Sequence, residues 1–209
     1  MLSVAGAVTP KGERRRYALV SAAAELLREG GFEAVRHRPV AERAGLPLAS
    51  TTYYFSSLDD LIASAVEHVG MLEVAQLRAG VVNLPRRRRS TQRTAEMLVD
   101  LLVGDHSSPE LNEELISRYE RYVTCARLPR LRGVQRRILR QRSAAVVEAV
   151  ERSGRIVRID MVPALICVVD GAVVAALVDD RQDPRAAARA MLIDVIEMLA
   201  PLDHHAVSA

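Results

Sequence analysis

Apolar residues recur along this chain at the three- and four-residue spacing of helices, and no segment sustains the alternation of a strand. From Glu13, Leu19, Ala23, Leu26 and Leu27 fall on one helical face. Gly30-Gly31 stops that helix by supplying the left-handed conformation its C-terminus needs, and Phe32 can fold back onto it. A short helix is predicted over Arg38–Ala44, with Pro39 tolerated in its first turn. Gly45-Leu46-Pro47 makes a tight turn into a third helix over Leu48–Phe55. Ser56 or Ser57 then caps a long fourth helix, whose stripe is Leu58, Leu61, Ile62, Ala65, Val69 and Leu72. Asp59 and Asp60 in its first turn suit the helix dipole, and Leu84-Pro85 with the run Arg86–Arg89 breaks it. Further helices are predicted at about 90–103, 109–127, 131–153, 160–179 and 184–199. The predicted fold class is all-α, with about nine helices. Its organisation reads as an arm at 1–12, a three-helix head at 13–57, a larger helical domain at 58–202 and a tail at 203–209.

Composition changes this picture little. Hydrophobic residues make up 49% of the 209, enough for a real core. The net charge of +3 pulls only weakly toward anionic partners, so a nucleic-acid function must rest on where the charges stand. Cys125 and Cys167 have no His or Cys at metal-ligand spacing and read as reduced thiols of a cytoplasmic protein, so no metal or cofactor is expected. The N-terminal arm lacks the apolar core of a signal peptide. The window Met161–Val178 contains Pro163, Asp170 and Gly171 and reads as a buried helix, not a membrane span. There is no P-loop, nucleophile motif or carboxylate pair on a predicted loop, so an enzyme is not expected.

The head carries the chemistry. A support helix, a short second helix, a glycine turn and a further short helix have the spacing of a helix-turn-helix. Val40, Ala41, Ala44, Leu46 and Phe55 are apolar where they must pack inward, and the small Ala41 and Ala44 allow close approach. That leaves Pro47, Leu48, Ala49, Ser50, Thr52, Tyr53 and Tyr54 facing outward. Their hydroxyls suit phosphates or base edges, and Leu48 or Ala49 suits a thymine methyl. Tyr54 has a second reading, packed inward beside Phe55. Arg36, His37 and Arg38 open the second helix beside backbone N–H groups that favour a phosphate. Arg14-Arg15-Arg16 reads either as a solvated helix start or as a phosphate contact. Arg86–Arg89 stands at the far end of a helix about 30 Å long and reads as a solvated loop.

Three segments within about Arg16–Leu61 resemble the signature of the TetR family of transcriptional regulators. They are Gly31-Phe32-Glu33-Ala34, Val40-Ala41-Glu42-Arg43-Ala44-Gly45-Leu46 and Thr52-Tyr53-Tyr54-Phe55-Ser56-Ser57-Leu58-Asp59-Asp60-Leu61. Beyond them only the number and lengths of helices are similar. The chain departs from the family pattern at Leu58, where a lysine is frequent, and at Leu48, Thr51-Thr52 and Arg36.

The resemblance implies a homodimer on a palindromic double-stranded operator, released by a small-molecule effector, with repression the commoner mode. Met97, Leu101, Tyr119, Tyr122, Cys125, Cys167 and Asp170 are candidate lining of a pocket for a mostly apolar effector, and each also suits an ordinary core position. Asp170 needs a buried partner, and reads first as a structural bond in the core or across the dimer. Leu165, Val169, Ala172, Val173 and Ala176, with Met191, Val195 and Met198, are candidate dimer contacts. The alternative is control by a protein partner, or no ligand at all, with the Arg86–Arg89 loop as a contact surface.

Overall fold

The computed structural model describes residues 9–104, 110–179 and 181–203. Among these residues there are nine helices and no strand: α1 (Pro10–Ala34), α2 (His37–Arg43), α3 (Ala49–Tyr54), α4 (Leu58–Val82), α5 (Thr91–Leu102), α6 (Glu110–Arg127), α7 (Pro129–Arg152), α8 (Val162–Ala176) and α9 (Pro184–Leu199). The all-α class follows. No described helix is long and apolar enough to cross a membrane.

Local chemistry explains most boundaries. α1 begins at Pro10, ahead of the expected Glu13, because Thr9 accepts the Gly12 N–H at 3.2 Å and proline suits the first turn. The expected arm therefore shortens, and residues 1–8 lie outside the described set. Gly30 (φ −140°) and Gly31 (φ +65°) interrupt α1 where the glycine pair predicts a stop. Ser57, not Ser56, caps α4, accepting the Asp60 N–H at 3.1 Å. α8 is shorter than expected: Pro163 fixes its first turn, and Asp160 is taken by Arg158 ahead of it.

The chain forms two compact units. One comprises the described residues up to Met71 together with Glu120–Gln135. Leu19, Ala23 and Leu27 of α1, Val35, Val40 and Ala41 around α2, Phe55 after α3, and Leu61, Ala65 and Val66 of α4 are buried there. Arg43 forks onto Glu29 at 2.8 and 2.9 Å and reaches Glu25 at 3.3 Å, which ties α2 to α1. That hydrogen bond from Arg43 lowers the Glu29 carboxyl below its usual range.

The other unit comprises Leu72–Tyr119 and the chain from Arg136 onward. Leu98, Leu102, Leu165, Val169, Val173, Leu192 and Ile196 lie in its core, where α9 packs on both α8 and α5. Each such leucine or isoleucine removes enough apolar surface from water to contribute about 1.5–3 kcal/mol.

The segment after α4 is built into this second unit and is not wholly solvated. The Arg87 and Arg89 N–H groups donate to the Arg152 and Ser153 carbonyls at 3.0 Å each. Arg86, Arg87 and Arg88 are exposed, but Arg89 is buried, donating to the Arg152 carbonyl at 2.9 Å and the Pro85 carbonyl at 3.0 Å. Beside it Arg155 is 1% exposed, bonding Glu197 at 2.8 Å, the Ala200 carbonyl at 2.9 Å, and the Thr91 and Thr94 hydroxyls at 3.2 Å each. An isolated bridge pairs Arg155 with Leu202. A buried guanidinium survives because these acceptors take four of its five donors.

Candidate functional site

In the head, α2 ends in a tight glycine turn. The Gly45 N–H donates to the Glu42 carbonyl at 3.1 Å and the Leu46 N–H to the Ala41 carbonyl at 3.0 Å, with Gly45 at φ +64°. This turn aims α3. Thr51 is fully buried and donates its hydroxyl to the Leu48 carbonyl at 2.8 Å, and Phe55 is buried behind it. The Arg16 guanidinium lies over the Phe55 ring at 5.2 Å, so the start of α1 stands beside the end of α3.

The opposite side of α3 is open. Pro47, Leu48, Ala49, Thr52 and Tyr53 are exposed, Tyr53 to 81%. Ser50 and Tyr54 are half-buried, and the Tyr54 ring meets the Tyr53 ring edge-on at 4.9 Å. The face offers hydroxyls and small apolar groups, the equipment for base edges and thymine methyls.

The cations at the start of α2 are less free than the sequence implies. Arg36 donates to the Phe32 and Val35 carbonyls at 3.2 and 3.0 Å and pairs with Glu33, while Arg38 pairs with Glu42 at 2.9 Å. His37 is half-buried, with Nδ1 buried and without a hydrogen-bond partner. Arg14 and Arg15, exposed on α1, hold no carboxylate among the described residues. At the start of α4, Asp59 pairs with Arg130 of α7 at 2.7 Å.

The pocket candidates are divided between the two units. Met97 is buried and Leu101 half-buried in the second unit. There Asp170 accepts from Arg142 at 2.7 and 2.8 Å and from the Tyr119 hydroxyl at 3.1 Å. Asp170 thus has its partner within the subunit. Burial, reinforced by the Asp170 charge, pushes the Tyr119 phenol well above its ordinary value. Tyr122 and Cys125 belong to the first unit, where burial pushes the Cys125 thiol up to about 11. Cys167 is exposed on the outer face of α8, which removes it from any internal pocket. A polar crevice of about 100 Å³ between α5 and α9 is lined by Glu96, Asp100, Asp183, Arg185 and Arg189, and by none of these candidates.

The dimer candidates also need correction. Leu165, Val169 and Val173 are 0% exposed and Ala176 2%, so these side chains are already committed to the subunit's own core. Ala172 and Val195 are half-buried, while Met191 (48%) and Met198 (76%) are exposed. The outward stripe of α8 is instead Cys167, Gly171, Val174 and Val178. α8 is apolar nearly all round, so hydrophobicity alone did not separate its inner stripe from its outer one.

Against this geometry, a profile described as bacterial regulatory proteins of the tetR family matches residues 19–65. A second, described as the tetracyclin repressor-like C-terminal domain, matches residues 89–198. No curated protein matches by sequence. Among solved structures, the multidrug binding protein EbrR complexed with proflavin is similar at 27% identity and a TM-score of 0.61, covering 87% of this chain and 99% of that one. The TetR-family member SCO1917 from Streptomyces coelicolor A3 shares 24% identity with a TM-score of 0.60, over 87% and 97% of the two chains. A protein from Saccharomonospora viridis in complex with choline shares 17% identity with a TM-score of 0.67, over 90% and 98%.

Proposed function

The chain belongs to the TetR family of transcriptional regulators, and on that premise we propose that it is a homodimeric repressor whose α3 reads a palindromic operator and which a small-molecule effector releases. The observation that carries this reading is the asymmetry of α3. Its inner side is packed through Thr51 and Phe55, while Pro47, Leu48, Ala49, Thr52 and Tyr53 are left open around a turn fixed by Gly45. One such helix spans only a few base pairs, so a twofold pair over two half-sites supplies the specificity. Ser50 and Tyr54 complete the contact set, and phosphates approach Arg36, His37 and Arg38 by exchanging for Glu33 and Glu42.

The dimer seam combines the outward stripe of α8 with Met191, Val195 and Met198 of α9. The effector is mostly apolar and held in the helical domain among Met97, Leu101 and Tyr119. The proflavin complex of EbrR, which holds a planar aromatic cation, supports a small-molecule effector. Binding shifts a population: an effector that prefers the DNA-incompetent form moves α4, whose first turn follows α3 directly, and the two heads lose their spacing. The protein works in the cytoplasm, without metal or cofactor.

Selection of bound sequences from a pool of random duplexes, with affinity followed at two salt concentrations, tests the reading. A recovered palindrome bound by a dimer with a salt-dependent constant is the expected result. Absence of enrichment, with only sequence-independent binding, would withdraw the operator contacts and leave the family assignment standing.

A further inference from the structure

The arginine run after α4 has no part in the reading head or the dimer seam. We propose that Arg86 and Arg88 form a docking edge for an extended acidic segment of a partner protein. Arg86, Arg87 and Arg88 are exposed, and no carboxylate of the described residues pairs with them. Three adjacent like charges repel one another, and no carboxylate among the described residues offsets that cost. Arg89, turned inward onto the Arg152 and Pro85 carbonyls, anchors the run.

The segment is also held in a strand-like register. The Arg87 and Arg89 amides face the end of α7, whereas those of Arg86 and Arg88 donate to no backbone carbonyl among the described residues. An open edge of this kind accepts an added strand. Residues two apart on an extended chain are separated by about 6.6 Å, so carboxylates at alternate positions of a peptide match Arg86 and Arg88. The display is preorganised: Arg152 donates to the Leu84 carbonyl at 2.9 Å, and a Cβ at Gly154 would sit 3.1 Å from the Arg88 Cα. Little ordering is left to offset on binding.

The surroundings favour a peptide over nucleic acid. At the end of α7 Arg152 is already paired with Glu148 at 2.9 Å, so the positive charge that no described carboxylate pairs with is confined to Arg86–Arg88. That extent matches a short segment and not a continuous phosphate backbone. The arginine fork also takes a carboxylate in two parallel hydrogen bonds.

The test titrates the full-length protein into a fluorescein-labelled peptide of alternating valine and glutamate. A valine–glutamine peptide and a labelled non-operator duplex serve as comparators. The glutamate peptide should bind in a salt-sensitive manner and the glutamine peptide should not. The double variant Arg86→Ser/Arg88→Ser should lose about tenfold or more in affinity for it, as expected for two lost charge-assisted contacts. Its melting temperature and operator affinity should hold, since both side chains are exposed. Gly154→Ala keeps every arginine but displaces the segment, and should weaken peptide binding too. Equal peptide binding by wild type and either variant, or no binding by wild type, overturns the proposal. Loss of duplex affinity in the double variant with peptide affinity unchanged also overturns it, and makes the edge a nucleic-acid contact.

Discussion

Tyr53 acts through an exposed side chain and Gly45 through its backbone. Tyr53 is 81% exposed, so Tyr53→Ala should leave the melting temperature unchanged and weaken operator binding by about 1–3 kcal/mol. Unchanged affinity in an anisotropy titration would remove Tyr53 from the contact set. At Gly45 a Cβ meets no atom within 4 Å, so Gly45→Ala costs only the left-handed conformation, about 1 kcal/mol of stability, read as a lower melting temperature. The exposure of Tyr53 and the turn at Gly45 were legible in the sequence because they depend on neighbours a few residues away. Arg89 was not: nothing local distinguishes it from Arg86–Arg88, and the Arg152 carbonyl that draws it inward lies 63 residues on. Asp170 was half legible, since a carboxylate in an apolar run demands a partner, but only the fold identifies Arg142.

Among the elements, α9 matches its expected span because its start is written locally: Asp183 accepts the Arg185 and Ala186 N–H groups at 3.1 and 3.0 Å, and Pro184 follows. α8 was legible as a buried helix but not as an oriented one, and adjacent residues now separate its two sides. Val173 is 0% exposed and Val174 44%. Val173→Arg places an unpaired charge in the core and should cost about 4 kcal/mol or more, read as loss of the cooperative melt. Val174→Arg should keep helicity and melting but yield monomers by light scattering. A Val174→Arg protein that stays dimeric would place the seam elsewhere.

For the molecule as a whole, Glu197 makes one contribution to stability on the acid side. Hydrogen bonds from Arg155 and Thr91 hold its carboxyl down at about 2, against 4.5 unperturbed. As pH falls the unfolded chain therefore takes up this proton first. The contribution is complete above about 4.5 and drains away between there and about 2, and its size is modest because the carboxylate is 55% exposed. Melting temperatures at pH 7, 4.5 and 3 should fall less steeply for Glu197→Gln than for wild type; equal slopes would exclude the pair. The same arginine has a consequence for how the protein is made. Arg155 joins Thr91 and Thr94 to Glu197 and Ala200, and a ribosome delivers the two threonines well ahead of the other two. The head can assemble while the chain is still growing, since domains fold as they emerge. The second unit waits with a charged side chain unmet until Glu197 and Ala200 have emerged, so a chain stopped ahead of them yields a reading head without a finished regulator.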